Sequence, residues 1–238
     1  MITVIICTKD RPQDLAEAVR SVFTQTVLPD ALVIIDDGNA DKTRKELYCI
    51  RNPGVEITRI TPRPKSSGIP AARNAGIDRI RRAPPGVVLF LDDDVTLDKQ
   101  YIETVNKFFD EHPDVDGVTG WINTKYHNES LTMRILRVIA GAVIPSKVPA
   151  CMFIPRAKGN RSLYPVFRKP GKDSVPAEWL SGCNMAYRSS VFDEGYRFDE
   201  TMTGYALGED RALSNRLFLD GKQLRLVYGA QLMHGRRS

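Results

Sequence analysis

Three consecutive aspartates end an apolar run in the first half of the chain, VVLFLDDDVTL at residues 87–97. Adjacent carboxylates repel one another and are costly to bury unpaired, so this arrangement predicts a neutralising cation. In an extended segment Asp92 and Asp94 point to one side and Asp93 points to the other. Oxygen ligands of this kind suit Mn²⁺ or Mg²⁺. The competing interpretation is a helix N-cap at a strand end, with the remaining acids in solvent.

A second pair of acids, Asp36 and Asp37, follows the apolar run LVII and precedes Gly38 and Asn39. Taken alone, this tetrapeptide indicates a turn followed by a helix start. In open parallel sheets, however, ligands bind outside the carboxyl ends of the strands. Two acidic strand ends in one sheet therefore favour a binding site at that edge.

The segment SGIPAARNAGIDRI carries Arg73 and Asn74 near the start of a predicted helix. An arginine there can neutralise a phosphate, and a helix N-terminus favours anions. A solvated arginine on an exposed helix fits the pattern equally well. Further along, Glu209 and Asp210 begin another predicted helix, where they can aim a carboxylate inward or can simply be the acids that favour a helix N-terminus.

The elements that must position these residues alternate between short β-branched runs and longer helical patterns. This repeated βαβ order predicts a parallel sheet covered by helices on both faces. The predicted strands are 2–7, 32–35, 55–60, 87–91, 115–122 and 223–227. The predicted helices are 14–24, 40–50, 70–82, 99–111, 129–144 and 209–220.

The stretch from 145 to 172 has a different texture, with five prolines, seven basic residues and no acid. It predicts a long loop or lid, and no clean linker separates it from the rest, so we expect one domain. The preceding amphipathic helix and these basic residues (129–172) could contact a membrane surface or an anionic lipid-linked acceptor. A solvated loop beside a core helix is the simpler interpretation.

Composition narrows the class of protein. A chain of 238 residues with 42% hydrophobic residues can bury a real core, and a formal net charge of +5 argues for no nucleic-acid partner. The four cysteines are widely spaced, which favours a reducing compartment, and all four are expected to be buried thiols. The first residues do not resemble a signal peptide, so we expect a cytoplasmic protein, with peripheral contact at the inner face of the membrane as a further option.

Six segments, in order, resemble the family 2 nucleotide-sugar glycosyltransferases, which are inverting enzymes with the GT-A fold. They are VIICTKDRP, VIIDDGNAD, GIPAARNAGI, LFLDDDV, WLSGCNMAYRSSVF and FDETMTGYALGEDRALSNRLFLDG. The second segment is similar to the family's vDDgS pattern, with Asn39 where serine is usual. The fourth looks like its metal-binding D-x-D pattern, and the last like the segment that carries the catalytic acids.

The resemblance implies an α/β fold with a Rossmann-like, mostly parallel central sheet in one catalytic domain, 1–238. Residues 1–122 would bind the nucleotide, and 123–238, with the basic loop 145–178, would bind the acceptor. Family members commonly continue further, so a truncated or minimal catalytic domain is expected. The implied activity is metal-dependent transfer of a sugar, most simply from a UDP-sugar, to a hydroxyl of a glycan or lipid-linked acceptor in polysaccharide or cell-envelope synthesis.

The resemblance also implies a role for individual residues. The nucleotide-binding residues would be Thr8, Asp10, Arg11, Asp37, Gly68, Arg73, Asn74, Asp92 and Asp93. The ligands of Mn²⁺ or Mg²⁺ would be Asp92, Asp94 and His234, the last being where relatives often carry a histidine. Asp210, beside Glu209, would be the catalytic base, and the acceptor would contact Trp179, Gly182 and Asn184.

Three other classes share parts of this pattern. An apolar strand followed by D-x-D-x-[TV] also fits haloacid-dehalogenase-type phosphatases, with Asp92 as nucleophile and Asp94 as acid. Those enzymes usually begin with that strand, whereas three βα units precede it here. A nucleotidyltransferase would need a glycine-rich loop after the first strand, and CTKDRPQD has no glycine. A non-catalytic sugar-binding relative is the third alternative.

Overall fold

The computed structural model of the protein describes residues 1–61, 68–80, 86–123, 174–203 and 206–235. The predicted helix 129–144, the basic stretch 145–172 and the proposed membrane contact lie outside the described residues. The loop predicted over 145–178 lies outside them except for its last residues, which form part of a strand and its continuation.

The first four strands are parallel and are named here the parallel half of the sheet. They are β1 (Ile2–Thr8), β2 (Ala31–Asp36), β3 (Glu56–Ile60) and β4 (Val87–Asp92), in the order β3-β2-β1-β4. The crossovers carry α1 (Pro12–Phe23), α2 (Ala40–Tyr48) and α3 (Ile69–Ile80). Both faces of β1, β2 and β4 are buried, as parallel strands between helices require. The βαβ prediction is confirmed.

The remaining strands form the mixed half. They are β5 (Val95–Leu97), β6 (Gly117–Ile122), β7 (Ser174–Pro176), β8 (Asn184–Arg188) and β9 (Leu224–His234). Across the sheet, β4 is followed by β8, β6, β9 and β5. Here only β6 and β9 run parallel, while β8, β5 and β7 pair antiparallel with their neighbours. The expected central α/β sheet is confirmed, and its parallel character is concentrated in the parallel half.

Two hydrophobic clusters cover the two faces of the sheet. One joins the sheet to α1 and to α4 (Tyr101–Glu111), and the other joins it to α3, α5 (Ser189–Asp193) and α6 (Glu209–Leu219). Alternation along β1 follows this division, since Val4 and Ile6 belong to the first cluster and Ile5 to the second. The sheet therefore lies between two layers of helices. The edge at the carboxyl ends of its parallel strands is the part available for a binding site.

The structure corrects several boundaries. β9 extends to His234 rather than ending at residue 227, because it has partner strands on both edges. β5 was not predicted, since three residues give no periodic signal. The N-cap interpretation of the aspartate run is wrong, because a turn and β5 follow it instead of a helix.

The expectation of buried thiols holds for Cys183 alone among the described cysteines. Cys7 is half-buried, and Cys49, the residue that follows α2, is exposed. All three are free thiols. Burial raises the pKa of the Cys7 thiol to about 12, so it stays neutral beneath the site.

Candidate active site

Strand register brings the acidic strand ends together at the carboxyl edge of the parallel half. Thr8 pairs with Asp36 across β1 and β2, and Cys7 pairs with Asp92 across β1 and β4. The loops that follow β1, β2 and β4 therefore open onto one surface, which is where open α/β sheets bind ligands.

A candidate metal cluster lies at the turn between β4 and β5. The Nε2 atom of His234 lies 3.2 Å from Oδ1 of Asp94 and 3.6 Å from Oδ2 of Asp92, and one ligand atom from each residue falls within 4.8 Å of the others. Antiparallel pairing of β5 with β9 sets Val95 opposite His234 and so carries the histidine to the turn. Two carboxylates and an imidazole form a donor set that fits Mn²⁺, and Mg²⁺ less well because it prefers oxygen.

Arg11 and the His234 imidazole balance the negative charge of the carboxylates in this cluster. The hydrogen bond with His234 lowers the pKa of Asp94 to about 2, and the same bond, followed by one with Cys183, raises the pKa of His234 to about 11. Nη2 of Arg11 donates to Oδ2 of Asp94 at 3.0 Å. A divalent ion would take the place of the imidazole proton, since metal binding to histidine releases protons.

Asp93 is not one of the three residues of the metal cluster and is buried against the loop after β1. It accepts a hydrogen bond of 2.7 Å from the Thr8 hydroxyl and another of 2.7 Å from Nη1 of Arg11. Burial raises its pKa to about 6, although the hydrogen bond from Thr8 and the charge of Arg11 oppose that shift. Thr8, Arg11 and Asp93, all predicted to bind nucleotide, are thus brought together.

The loop after β2 is held by contacts with Asp10, in the loop after β1. Asp10, with a positive φ of 55°, accepts a hydrogen bond from the backbone of Asn39 at 3.0 Å, and a Cβ on Gly38 would lie 2.4 Å from the backbone nitrogen of Asp10. Asn39 caps α2 by accepting from the backbones of Asp41 and Lys42. Asp37, the predicted base-binding carboxylate, lies at this edge with Oδ2 3.6 Å from Nζ of Lys9.

Arg73 does not lie on the open surface but inside the protein, where its side chain is 3% exposed. It forms an ion pair with Glu209, and its Nη2 donates to Oδ1 of Asp92 at 3.2 Å and to the carbonyl oxygen of Gly182 at 2.9 Å. Desolvation by burial lowers the pKa of Arg73, but the charges of Glu209 and Asp92 raise it by more, so the pKa lies above its ordinary value. Gly68, also predicted to bind nucleotide, adopts a φ of 135° just before α3.

Glu209 and Asp210 begin α6 but face different surroundings. Glu209 is buried, burial raises its pKa to about 7, and its Oε2 atom has no hydrogen-bond partner among the described residues. Asp210 is half-buried and accepts from the backbones of Gly182 and Arg211, both at 2.8 Å. Asp210 is therefore the acid of the pair whose carboxylate is both oriented and reachable.

The two asparagines with predicted binding roles are buried and hydrogen-bonded within the protein. Asn74 is buried, and its amide bonds to both the nitrogen and the oxygen of the Phe198 backbone. Asn184 is fully buried, with its amide held by Thr119 and Gly120 of β6. Sequence alone does not reveal whether a polar residue is satisfied internally. Trp179 remains half-buried, with the Arg211 guanidinium 4.7 Å from its ring centre.

The geometry agrees with the comparison to known families. The family model described as Glycosyl transferase family 2 matches residues 3–195. The chain belongs to this family. The predicted family, GT-A fold and enzyme class are confirmed, and nothing in the comparisons favours the phosphatase alternative.

Curated relatives of this family 2 member are longer proteins. An uncharacterized glycosyltransferase of Rickettsia conorii is 29% identical over 68% of the chain, and the match spans 26% of the relative. A glucosyl-dolichyl phosphate glucuronosyltransferase of Haloferax volcanii is 29% identical over 51% of the chain, and the match spans 38% of that protein. The chain thus spans well under half the length of the curated relatives it matches.

Solved glycosyltransferase structures share the fold at low identity. S. aureus TarS 1-349 in complex with UDP-GlcNAc has a TM-score of 0.65 at 17% identity, covering 100% of this chain and 59% of that one. The mannosyltransferase PcManGT from Pyrobaculum calidifontis, in complex with GDP-Man and Mn²⁺, has a TM-score of 0.64 at 14% identity, covering 100% and 58%. Within the described part of the chain, no helix has the length and apolarity needed to cross a bilayer.

Proposed function

We propose that this family 2 member is a metal-dependent, inverting glycosyltransferase that moves a sugar from a nucleotide-diphosphate sugar to an acceptor hydroxyl. One observation carries the proposal. Arg73 links the cluster of Asp92, Asp94 and His234 to the oriented carboxylate of Asp210. It bonds directly to Asp92, and it bonds to Gly182, which in turn donates to Asp210.

The donor side is formed by the loops after β1, β2 and β4. Asp92, Asp94 and His234 would hold Mn²⁺ or Mg²⁺, which, when bound, offsets the negative charge of the departing diphosphate. Asp37 would accept from the nucleotide base, and Thr8, Asp10 and Arg11 fix the loop that borders it. Gly68 stays a proposed nucleotide contact at the start of α3.

The acceptor side is formed by α6 and the segment that precedes β8. Asp210 would remove the proton of the attacking hydroxyl, because its carboxylate is half-exposed and held in one orientation by two backbone donors. Glu209 lacks this access, so its role is to hold Arg73 rather than to contact the acceptor. Gly182 donates to Asp210 and Trp179 contacts the next residue, Arg211, so both would border the acceptor.

The named neighbours support the substrate classes without fixing them. TarS was solved with UDP-GlcNAc and PcManGT with GDP-Man, so UDP and GDP are the first nucleotides to test. The Haloferax volcanii relative is named for glucosyl-dolichyl phosphate, which makes a lipid-linked acceptor part of the proposal. Work on such an acceptor at the inner face of a membrane, in cell-envelope or polysaccharide synthesis, follows as the proposed setting.

The test is thermal unfolding of the wild-type chain with UDP, GDP, dTDP and CDP, each with and without Mn²⁺. A ligand at a hundred times its Kd adds about 2.7 kcal/mol of stability. For a domain of this size, each kcal/mol raises Tm by about 2–4 °C. We expect a shift that is selective for one nucleotide and larger with Mn²⁺.

Two results would contradict the proposal in different ways. A nucleotide shift that ignored Mn²⁺ would reject metal dependence and leave a metal-independent transferase. No shift with any of the four nucleotides at millimolar concentration would reject nucleotide-diphosphate binding itself.

A further inference from the structure

One buried guanidinium joins three parts of the chain that are far apart in sequence. Arg73, on α3, reaches Asp92 at the end of β4, Gly182 before β8 and Glu209 at the start of α6. Two of these contacts use the same atom, Nη2, and the ion pair with Glu209 uses Nη1. The Phe198 ring also faces the guanidinium, with its centre 5.4 Å away. The planar group is therefore fixed on several sides.

At its first end this guanidinium determines how Asp92 is presented. Arg73 binds Oδ1 of Asp92, whereas Oδ2 is the oxygen that lies 3.6 Å from His234. A carboxylate held by one oxygen cannot rotate freely, so the other oxygen stays directed at the metal cluster. Partners of this kind orient metal ligands in many proteins.

At its second end the guanidinium acts through Gly182. The carbonyl oxygen of Gly182 accepts from Arg73, and the nitrogen of the same residue donates to Oδ2 of Asp210. A Cβ at Gly182 would lie 3.2 Å from Oδ2 of Asp210 and 3.3 Å from Nη2 of Arg73. A side chain there would require Asp210 or Arg73 to move by a few tenths of an ångström.

We propose that Arg73 is a positioning residue that fixes the metal ligand Asp92 relative to the base Asp210, rather than a residue that contacts the nucleotide. Glu209 holds it in place by the ion pair. The inference rests on the proposed function for the roles of Asp92 and Asp210. It replaces the nucleotide contact that the family resemblance implied for Arg73.

The decisive variant is Arg73→Lys. Lysine keeps the charge but has a single ammonium on a flexible stem, so it cannot hold the three partners in the planar arrangement of a guanidinium. We expect the Mn²⁺ affinity of the nucleotide-free chain, measured by titration calorimetry, to fall roughly 10–100-fold. The kcat for release of UDP from UDP-GlcNAc, or of GDP from GDP-Man, should fall as well. UDP affinity without metal should stay within about threefold of wild type, because no nucleotide contact is lost.

Arg188→Lys is the matched control. The Arg188 guanidinium also bonds to three acceptors, the carbonyl oxygens of Val115, Phe109 and His112, and none of these belongs to the site. This variant should lose stability in thermal unfolding while its Mn²⁺ affinity stays at the wild-type value.

Gly182→Ala tests the same link without touching a charged group, and it serves if Arg73→Lys does not fold. The added methyl group must displace Asp210, Arg73 or both by a few tenths of an ångström. We expect a several-fold loss of Mn²⁺ affinity together with a lower kcat, on the order of the smaller effects of outer-shell changes.

Three results would overturn the positioning role. Unchanged Mn²⁺ affinity in both variants would reject the link to Asp92. A loss of metal-free UDP affinity with intact Mn²⁺ affinity would return Arg73 to the nucleotide. A loss of stability alone, as in Arg188→Lys, would make Arg73 a packing residue. Failure of the proposed function is measured separately, on the wild-type chain, as the absence of both nucleotide binding and donor turnover.

Discussion

The two halves of the sheet contribute to the site in different ways. In the parallel half, Asp37 directly follows a buried strand and Asp92 is the last residue of another, so each enters the site where its own strand ends. In the mixed half, His234 and Gly182 reach the site only through pairing with distant segments. The proposed donor functions thus lie mainly in the parallel half, and the base lies in the mixed half. If the division is real, variants in the two halves should separate binding from chemistry.

The largest effect is expected from the mixed half, with Asp210→Asn. An amide keeps the shape and can still accept from Gly182, but it cannot take a proton from the acceptor. We expect kcat to fall roughly 10³-fold, within the usual range for loss of a general base. Nucleotide affinity with Mn²⁺ should stay within a few-fold of wild type in calorimetry. Asp193→Asn, an exposed aspartate at the end of α5, is the control. Loss of nucleotide binding in Asp210→Asn would move this residue to the donor side.

Asp94→Ala in the parallel half should give the reverse pattern. It removes a carboxylate of the metal cluster, so Mn²⁺ affinity should fall by roughly 100-fold or more. The Mn²⁺-dependent part of the nucleotide-induced Tm shift should disappear. Asp41→Ala, at an exposed position on α2, should keep that shift. Full Mn²⁺ dependence in Asp94→Ala would refute its assignment as a ligand.

His234→Gln tests the point where the two halves meet. The imidazole is one ligand of three and the most exposed of them, at 38%. Its loss should weaken Mn²⁺ binding by about tenfold, less than the loss of Asp94. Calorimetric titrations of both variants under one set of conditions give the comparison. An unchanged Kd would show that β9 contributes structure and no ligand.

The smallest effect is expected at Asn39, which belongs to the parallel half and makes no contact with the metal cluster in the described structure. Asn39→Ala removes the side-chain cap of α2 and should cost about 1 kcal/mol of unfolding free energy, or about 2–4 °C in Tm. Asn39→Ser, which restores the residue usual in the family pattern, should be close to wild type. A large change in nucleotide affinity with Asn39→Ala would show that the residue does more than cap the helix.

Much of the parallel half was predictable because its signals are local. Continuous β-branched runs, helical spacing and acids at strand ends are all visible within short windows, and the predicted strands around Ile5, Ile34 and Leu89 are confirmed. The proximity of Asp92 and Asp94 was predicted from alternation in an extended segment, but it arises at the turn between β4 and β5. Their roles as ligands stay predictions until a metal is measured.

The rest depended on contacts between distant residues. Arg73 is separated from Asp92, Gly182 and Glu209 by 19, 109 and 136 positions, and no local pattern indicates that one guanidinium joins them. Asn74 and Asn184 lie in segments that resemble the family and were predicted to bind ligands, but their amides are bonded inside the protein. Sequence pattern alone does not separate these two cases. A useful signal for the burial of Arg73 was the acidic pair Glu209 and Asp210, since an arginine is almost never fully buried without a charged partner.

The length of β9 has a consequence for how the sheet opens. β6 lies along one edge of β9, while β7 and then β5 share the other edge. Backbone amides near Leu226 and Leu232 therefore lie between partner strands, and solvent reaches them only if several strands separate together. Their hydrogen exchange should be as slow as that of β1 and β4, close to the limit set by global unfolding. The histidine of the metal cluster would then be carried by a strand that opens only together with its neighbours.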